Sequence, residues 1–190
     1  MRTTVTVGAL AWGPRPGLYR RQPFRLTLLA DPASVRLGQA LAARVTEVTR
    51  LTAAATVAAG LIELTSPRFA KQIRDVHTLT SRAIARFLIT GEGTTETERN
   101  FISRVGIFAA RYGLSLAILS RSYLVWRDAN LRIVNEEINR LAIGQTVSSV
   151  ARKIIRSSAD SGLRRMTRAY EYQLRLAAPS DDSMDSAVGQ

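Results

Sequence analysis

From Asp31 to Leu174 the apolar residues of this chain recur at every third or fourth position, and no useful stretch after residue 30 alternates apolar with polar. Spacings of three and four bring side chains onto one face of a helix, whereas a half-buried strand needs a period of two. The chain is therefore restricted to amphipathic helices that bury their stripes against one another, and the predicted fold class is all-α, a helical bundle with a long C-terminal helix. A length of 190 residues fits one domain, and a 46% hydrophobic, 22% charged composition is that of a globular protein.

Local signals place the helices. Asp31-Pro32 offers a cap and a first-turn proline, and the stripe Val35, Leu37, Leu41, Val45, Val48, Leu51, Leu61 predicts one long helix to Leu64, or two with a break near Gly60. Ser66-Pro67 starts the next, with Ser66 as side-chain cap; its stripe runs from Phe69 through Val76 to Leu88, and Gly91-Glu92-Gly93 ends it. Thr95 and Glu98 form a capping box before Phe101, Val105, Phe108 and Tyr112. Gly113 closes that helix, Ser115 opens another that carries Leu116, Leu119, Tyr123, Trp126, Ile133 and Ile138, and Gly144 is predicted to end it. A last helical stretch bears Val147, Val150 and Ile154, then Leu163, Met166, Tyr170 and Leu174, with a polar interruption at 157–162.

The domain plan is a basic, irregular N-terminal arm at 1–30, a sensor-sized helical unit at 31–145, a C-terminal helix at 146–177 and an acidic, disordered tail at 178–190. The longest apolar run, Leu51 to Ile62, falls short of the roughly 20 residues a bilayer span needs. The apolar stretch before Ala9-Leu10-Ala11 is too short for a signal peptide. A cytoplasmic location without a membrane span is the expectation.

Composition removes whole classes of chemistry. With no Cys there is no disulfide, thiolate metal site or cysteine nucleophile, and with His77 as the single histidine there is no histidine pair for zinc. Gly91-Glu92-Gly93 lacks the strand, third glycine and Lys of a phosphate loop. Glu136 and Glu137 are neighbours on a helix and point about 100° apart, so they do not face one substrate as acid and base. No catalytic residue, metal site or cofactor is expected. His77 could serve as a proximal haem ligand, but Arg74, Asp75, Thr78 and Thr80 surround it in sequence, and a structural histidine is the plainer reading.

The formal charge is +12, and Lys71 and Lys153 are the only lysines among 27 basic residues. Arg-rich coding gives such an excess without function, while a polyanion-binding face would use it. Arg152, Lys153, Arg156, Arg164, Arg165 and Arg168 are the candidate basic surface. On the same stretch, Leu163, Met166, Tyr170 and Leu174 are spaced 3, 4 and 4 apart, as a dimer or partner helix requires. Tyr123 and Trp126, with Phe108 and Tyr112, are candidates to line a ligand pocket.

The segment 95–137 adds a resemblance. A helix ending in Ala110-Arg111-Tyr112-Gly113-Leu114-Ser115-Leu116, followed by Leu119, Arg121, Tyr123 and Trp126, resembles the N-terminal sensory domain of the RsbR type, a non-haem, globin-like module of stressosome co-antagonists found ahead of output modules in actinobacterial regulators. Ser115 stands where that pattern often has Pro. The resemblance, over about 35–145, implies a globin-like fold without haem, a homodimer, and a signal passed through the C-terminal helix to another signalling protein or output module. No output segment follows residue 177 in this sequence. The function expected is thus a non-enzymatic regulatory sensor. A nucleic-acid-binding regulator using the arm and the Arg-rich helix, and a haem sensor through His77, are the alternatives.

Overall fold

A computed structural model describes residues 31–178, so the N-terminal arm and all of the tail but Ala178 lie outside the described residues. Six α-helices fold into an all-α bundle with no strand among the described residues: α1 (Pro32–Ala43), α2 (Val45–Ala58), α3 (Pro67–Thr90), α4 (Glu96–Arg111), α5 (Leu116–Arg140) and α6 (Gln145–Ala177), with a 3₁₀ turn at Ile62–Thr65 between α2 and α3. No helix among them is long and apolar enough to cross a membrane.

Most of the predicted caps are in place. The Asp31 carboxylate accepts from the Ala33 N–H at 2.8 Å, and Ser115 Oγ accepts from the Ile118 N–H at 3.3 Å. The Thr95–Glu98 box is complete in both directions, at 3.2 and 2.7 Å. Gly91 stops α3 with φ 76°, a left-handed conformation that costs glycine nothing. Ser66 differs: it precedes α3, but its hydroxyl donates back to the Glu63 carbonyl at 2.9 Å instead of capping the helix.

Three boundaries also depart from expectation. The segment predicted as one helix, or two parting near Gly60, breaks at Arg44 as well, where φ −102° and ψ 10° let the N–H reach the Leu41 carbonyl. The Arg44 side chain is drawn across to the end of α5, which holds the kink. Helix α5 ends at Arg140, ahead of Gly144, in a Schellman closure. The Ile143 N–H donates to Ile138 O at 3.0 Å, Ala142 takes the left-handed position with φ 51°, and Gly144 becomes the N-cap of α6. The apolar partners Ile138 and Ile143, both buried, select this register over the one a glycine would favour. Finally, α6 runs unbroken through 157–162. Ala159, Ser161 and Gly162 are small and buried there, so the polar composition marks close packing and not an interruption.

Side-chain pairs fix the topology. Arg44 meets Glu136 and Glu137, and Arg121 meets the Ala59 carbonyl, so α2 and α5 are antiparallel. His77 and Ser81 lie against Trp126, and Ser81 against Asn130, so α3 and α5 run in the same direction. Helix α4 is antiparallel to α3 through Arg86–Glu98 and Phe69–Phe108, and parallel to α6 through Arg111–Gln173. The core sits between these rods around Trp126, Tyr123, Leu37, Ile102, Leu119 and Met166. Gly106 brings α4 so close to α6 that a Cβ there would lie 2.2 Å from the Met166 carbonyl oxygen.

Candidate functional site

The residues singled out at the centre form one closed polar and aromatic cluster. Trp126 Nε1 donates to the His77 carbonyl at 3.1 Å and to Ser81 Oγ at 3.0 Å. Ser81 donates to Asn130 Oδ1 at 3.2 Å, and Asn130 Nδ2 returns a bond to the Trp126 carbonyl at 2.9 Å. The His77 ring stacks on Trp126 at 5.9 Å between centroids and meets Tyr123 edge-on at 5.6 Å. His77 is 2% exposed, more deeply buried than its sequence neighbours imply. Burial pushes its imidazole down to about 3, so the ring is neutral, and burial likewise raises the Tyr123 phenol above its ordinary value.

Among the described residues His77 Nε2 and the Tyr123 hydroxyl find no hydrogen-bond partner, while the Tyr123 ring lies where a Cβ on Gly162 would stand, 2.7 Å from Cε1. Nε2 is buried in the core, so a porphyrin bonded there would have to displace core side chains, and the packing does not fit haem. Enclosed in this way, neither ring is placed to exchange a proton with a molecule arriving from solvent.

Phe108 and Tyr112 are not part of that cluster. They lie where α3 begins and α4 ends: Phe108 stands edge-on to Phe69 at 5.6 Å and 4.6 Å from Tyr112, which is half exposed beneath the Arg68 guanidinium, 4.7 Å from the ring centroid. The four proposed pocket residues therefore divide between the core and one end of the bundle. A small groove elsewhere, between α3, the α3–α4 loop and α6, is lined by Thr80, Ile84, Phe87, Thr94, Ile154 and Ser157.

On α6 the apolar series is also divided. Met166 is fully buried within its own chain against Gly106, Leu163 and Tyr170 are half-buried, and Leu174 is exposed. Leu163, Tyr170 and Leu174 fall within about 40° of one another at 100° per residue and form a stripe beside the buried face. The basic residues are distributed around the outer side. Arg156, Arg164 and Arg168 are exposed, Arg152 binds Asn135 Oδ1 at 2.9 Å, Arg165 is half-buried, and Lys153 is exposed.

Two further arrangements were not singled out from the sequence. At the end where α1 meets α2 and α5 terminates, Arg44 bridges Glu47, Glu136 and Glu137 at 2.7, 2.7 and 2.8 Å, and Glu137, 3% exposed, also takes Arg140 at 2.6 Å. Arg140, burial and Arg44 act together on Glu137, and the net effect holds its carboxyl below the ordinary range. Nearby, Arg86 grips both oxygens of Glu98; burial opposes ionisation there, and the guanidinium and the Thr95 N–H overcome it. The adjacent Glu136-Glu137 pair was the visible signal, but its partner is 92 positions away for Glu136 and 93 for Glu137.

The opposite end gathers what the first lacks. Taking 51–76, 104–127 and 163–178 as that near end, eleven Lys and Arg stand against Glu63, Asp75 and Glu171, while the far end, 31–50, 77–103 and 128–162, has eleven against nine. The large apolar side chains left exposed among the described residues also lie in the near half: Val57, Ile62, Tyr112, Leu124, Tyr172, Leu174 and Leu176.

Comparison with protein-family models, with curated proteins and with solved structures finds no match.

Proposed function

We propose that the chain is a non-enzymatic regulatory module that self-associates through the C-terminal half of α6 and passes a signal along that helix to another signalling protein or output module. The observation that supports this reading is the stripe Leu163–Tyr170–Leu174 on the 33-residue α6, whose last residues continue beyond Gln173, where α4 ends beside it. Two copies packed along the stripe would cover Leu174, now 47% exposed, and complete the burial of Leu163 and Tyr170. Transmission needs two arrangements of α6 that the stimulus binds with different affinity, and the tight α4–α6 contact at Gly106 gives α6 a rigid partner to shift against.

Light scattering coupled to size exclusion tests the reading. A dimer at micromolar concentration that becomes a monomer in Leu163→Glu/Leu174→Glu is the expected result, and a wild-type monomer at tens of micromolar contradicts it.

A second reading, nucleic-acid binding, is favoured by the exposed face of α6, where Arg152, Arg156, Lys153, Arg164 and Arg168 fall within about 160° of arc, though Asp160 sits among them. Retention on DNA or RNA that falls steeply with salt would support it.

A further inference from the structure

We infer that the near end of the bundle docks on an anionic membrane surface, with the end of α6 and the 3₁₀ turn as the parts that enter the headgroup layer. Two independent observations meet there. Ile62, Tyr172 and Leu176 are 69, 55 and 62% exposed, and the half of the molecule that carries them has an excess of eight positive charges, seven once Arg127 is set against Asp128, its ion-pair partner at 2.9 Å just across the boundary. The three Asp of the sequence beyond α6 reduce that attraction without reversing it.

The distribution around α6 narrows the choice of occupant. Tyr172 and Leu176 share one side of the helix, and Leu174 points roughly the opposite way. A second copy packed along the Leu163–Tyr170–Leu174 stripe covers Leu174 and still leaves Tyr172 and Leu176 exposed on the other side, an apolar pair at a helix end that suits a headgroup layer. Arg168 and Arg175 are exposed on the same last turns and make no ion pair among the described residues, so they are available to lipid phosphates. A second copy placed end to end would bring two cationic ends together, and a nucleic acid would satisfy the cations while leaving Ile62 and Leu176 in water. Acidic lipid with apolar chains beneath it answers both features.

The inference is separate from the regulatory reading, because Ile62 and Leu176 lie off the Leu163–Tyr170–Leu174 stripe. Light scattering without lipid decides the dimer; sedimentation of the full chain with vesicles decides this proposal. Phosphatidylserine-containing vesicles should pellet the protein, pure phosphatidylcholine vesicles should not, and added salt should release it. Ile62→Ser/Leu176→Ser should lower the vesicle partition coefficient by about tenfold or more with an unchanged thermal melt, since both side chains are exposed. If that variant fails to fold, Arg168→Glu/Arg175→Glu provides the same test from the charge side. No pelleting on either vesicle, equal pelleting on both, or a folded variant that pellets like the wild type overturns the proposal; the first result would leave the surface to an acidic protein.

Discussion

At the far end of the bundle eleven Lys and Arg are matched by nine carboxylates, and Arg44, Arg86 and Arg140 hold the carboxylates of Glu137 and Glu98 within the fold. At the near end the same number of cations meets three carboxylates, and they share the surface with exposed Tyr and Leu side chains. The difference teaches that net charge alone says little about this protein. One half uses arginine to bind carboxylates between helix ends, whereas the other sets it against a carbonyl, an amide and a ring, as with Arg121, Arg111 and Arg68, or leaves it exposed, as with Arg168 and Arg175. Each end can be disturbed separately, and the consequences should differ in kind.

The largest effect is expected where α4 and α6 approach most closely. Gly106→Ala would force a Cβ against the Met166 backbone, and a loss of about 3 kcal/mol in urea unfolding is expected, above the usual gain of helix propensity from Gly to Ala. Because the near end is assembled on this pair of helices, the variant should also show faster amide exchange in α6.

Next is the ionic end. Glu137→Ala removes the buried acceptor shared by Arg44 and Arg140, and about 2 kcal/mol should be lost, with Glu47 and Glu136 retaining part of the Arg44 interaction. An equal loss from Arg168→Ala would remove the distinction between the two ends.

Acid should act in two steps. His77 is held neutral in the fold with its value at about 3, below the ordinary 6.5, so its contribution is complete above pH 6.5 and declines as pH falls from there toward 3. The slope is about 1.4 kcal/mol per pH unit while only the unfolded chain binds the proton. The carboxyls of Glu98, Glu136 and Glu137 lie below their ordinary 4.5, so their contribution is present above that value and is lost only at lower pH. Unfolding free energy should thus fall already between pH 6.5 and 5, before the ionic end titrates, and His77→Phe should flatten that window. A wild-type curve flat from pH 7 to 5 would contradict the burial of a neutral imidazole. The smallest effect is a gain: Ala142→Gly relieves a left-handed alanine and should stabilise by up to about 1 kcal/mol.

These particulars also show how far the sequence could be read. The helix period and the caps at Asp31, Thr95 and Ser115 gave the all-α class and most boundaries because they depend on neighbours within four residues. The kink at Arg44, the closure at Ala142 and the continuity of α6 through Gly162 depend on partners far along the chain, which local patterns do not contain. For the same reason Tyr123 and Trp126 were recognisable as a helical pair, yet their enclosure with His77, Ser81 and Asn130 emerges only when α3 and α5 lie side by side. Met166 looked like part of an outward seam because the small residue opposite it, Gly106, lies on another helix.

The division between a load carried at one end and a surface left uncovered at the other is tested most directly by urea unfolding of Ile62→Ser/Tyr172→Ser/Leu176→Ser. The expected result is a midpoint and slope equal to those of the wild type, because these side chains contribute little to the folded core. A loss of about 2 kcal/mol or more, comparable to that of Glu137→Ala, would mean that these exposed side chains carry structural load and would contradict the account.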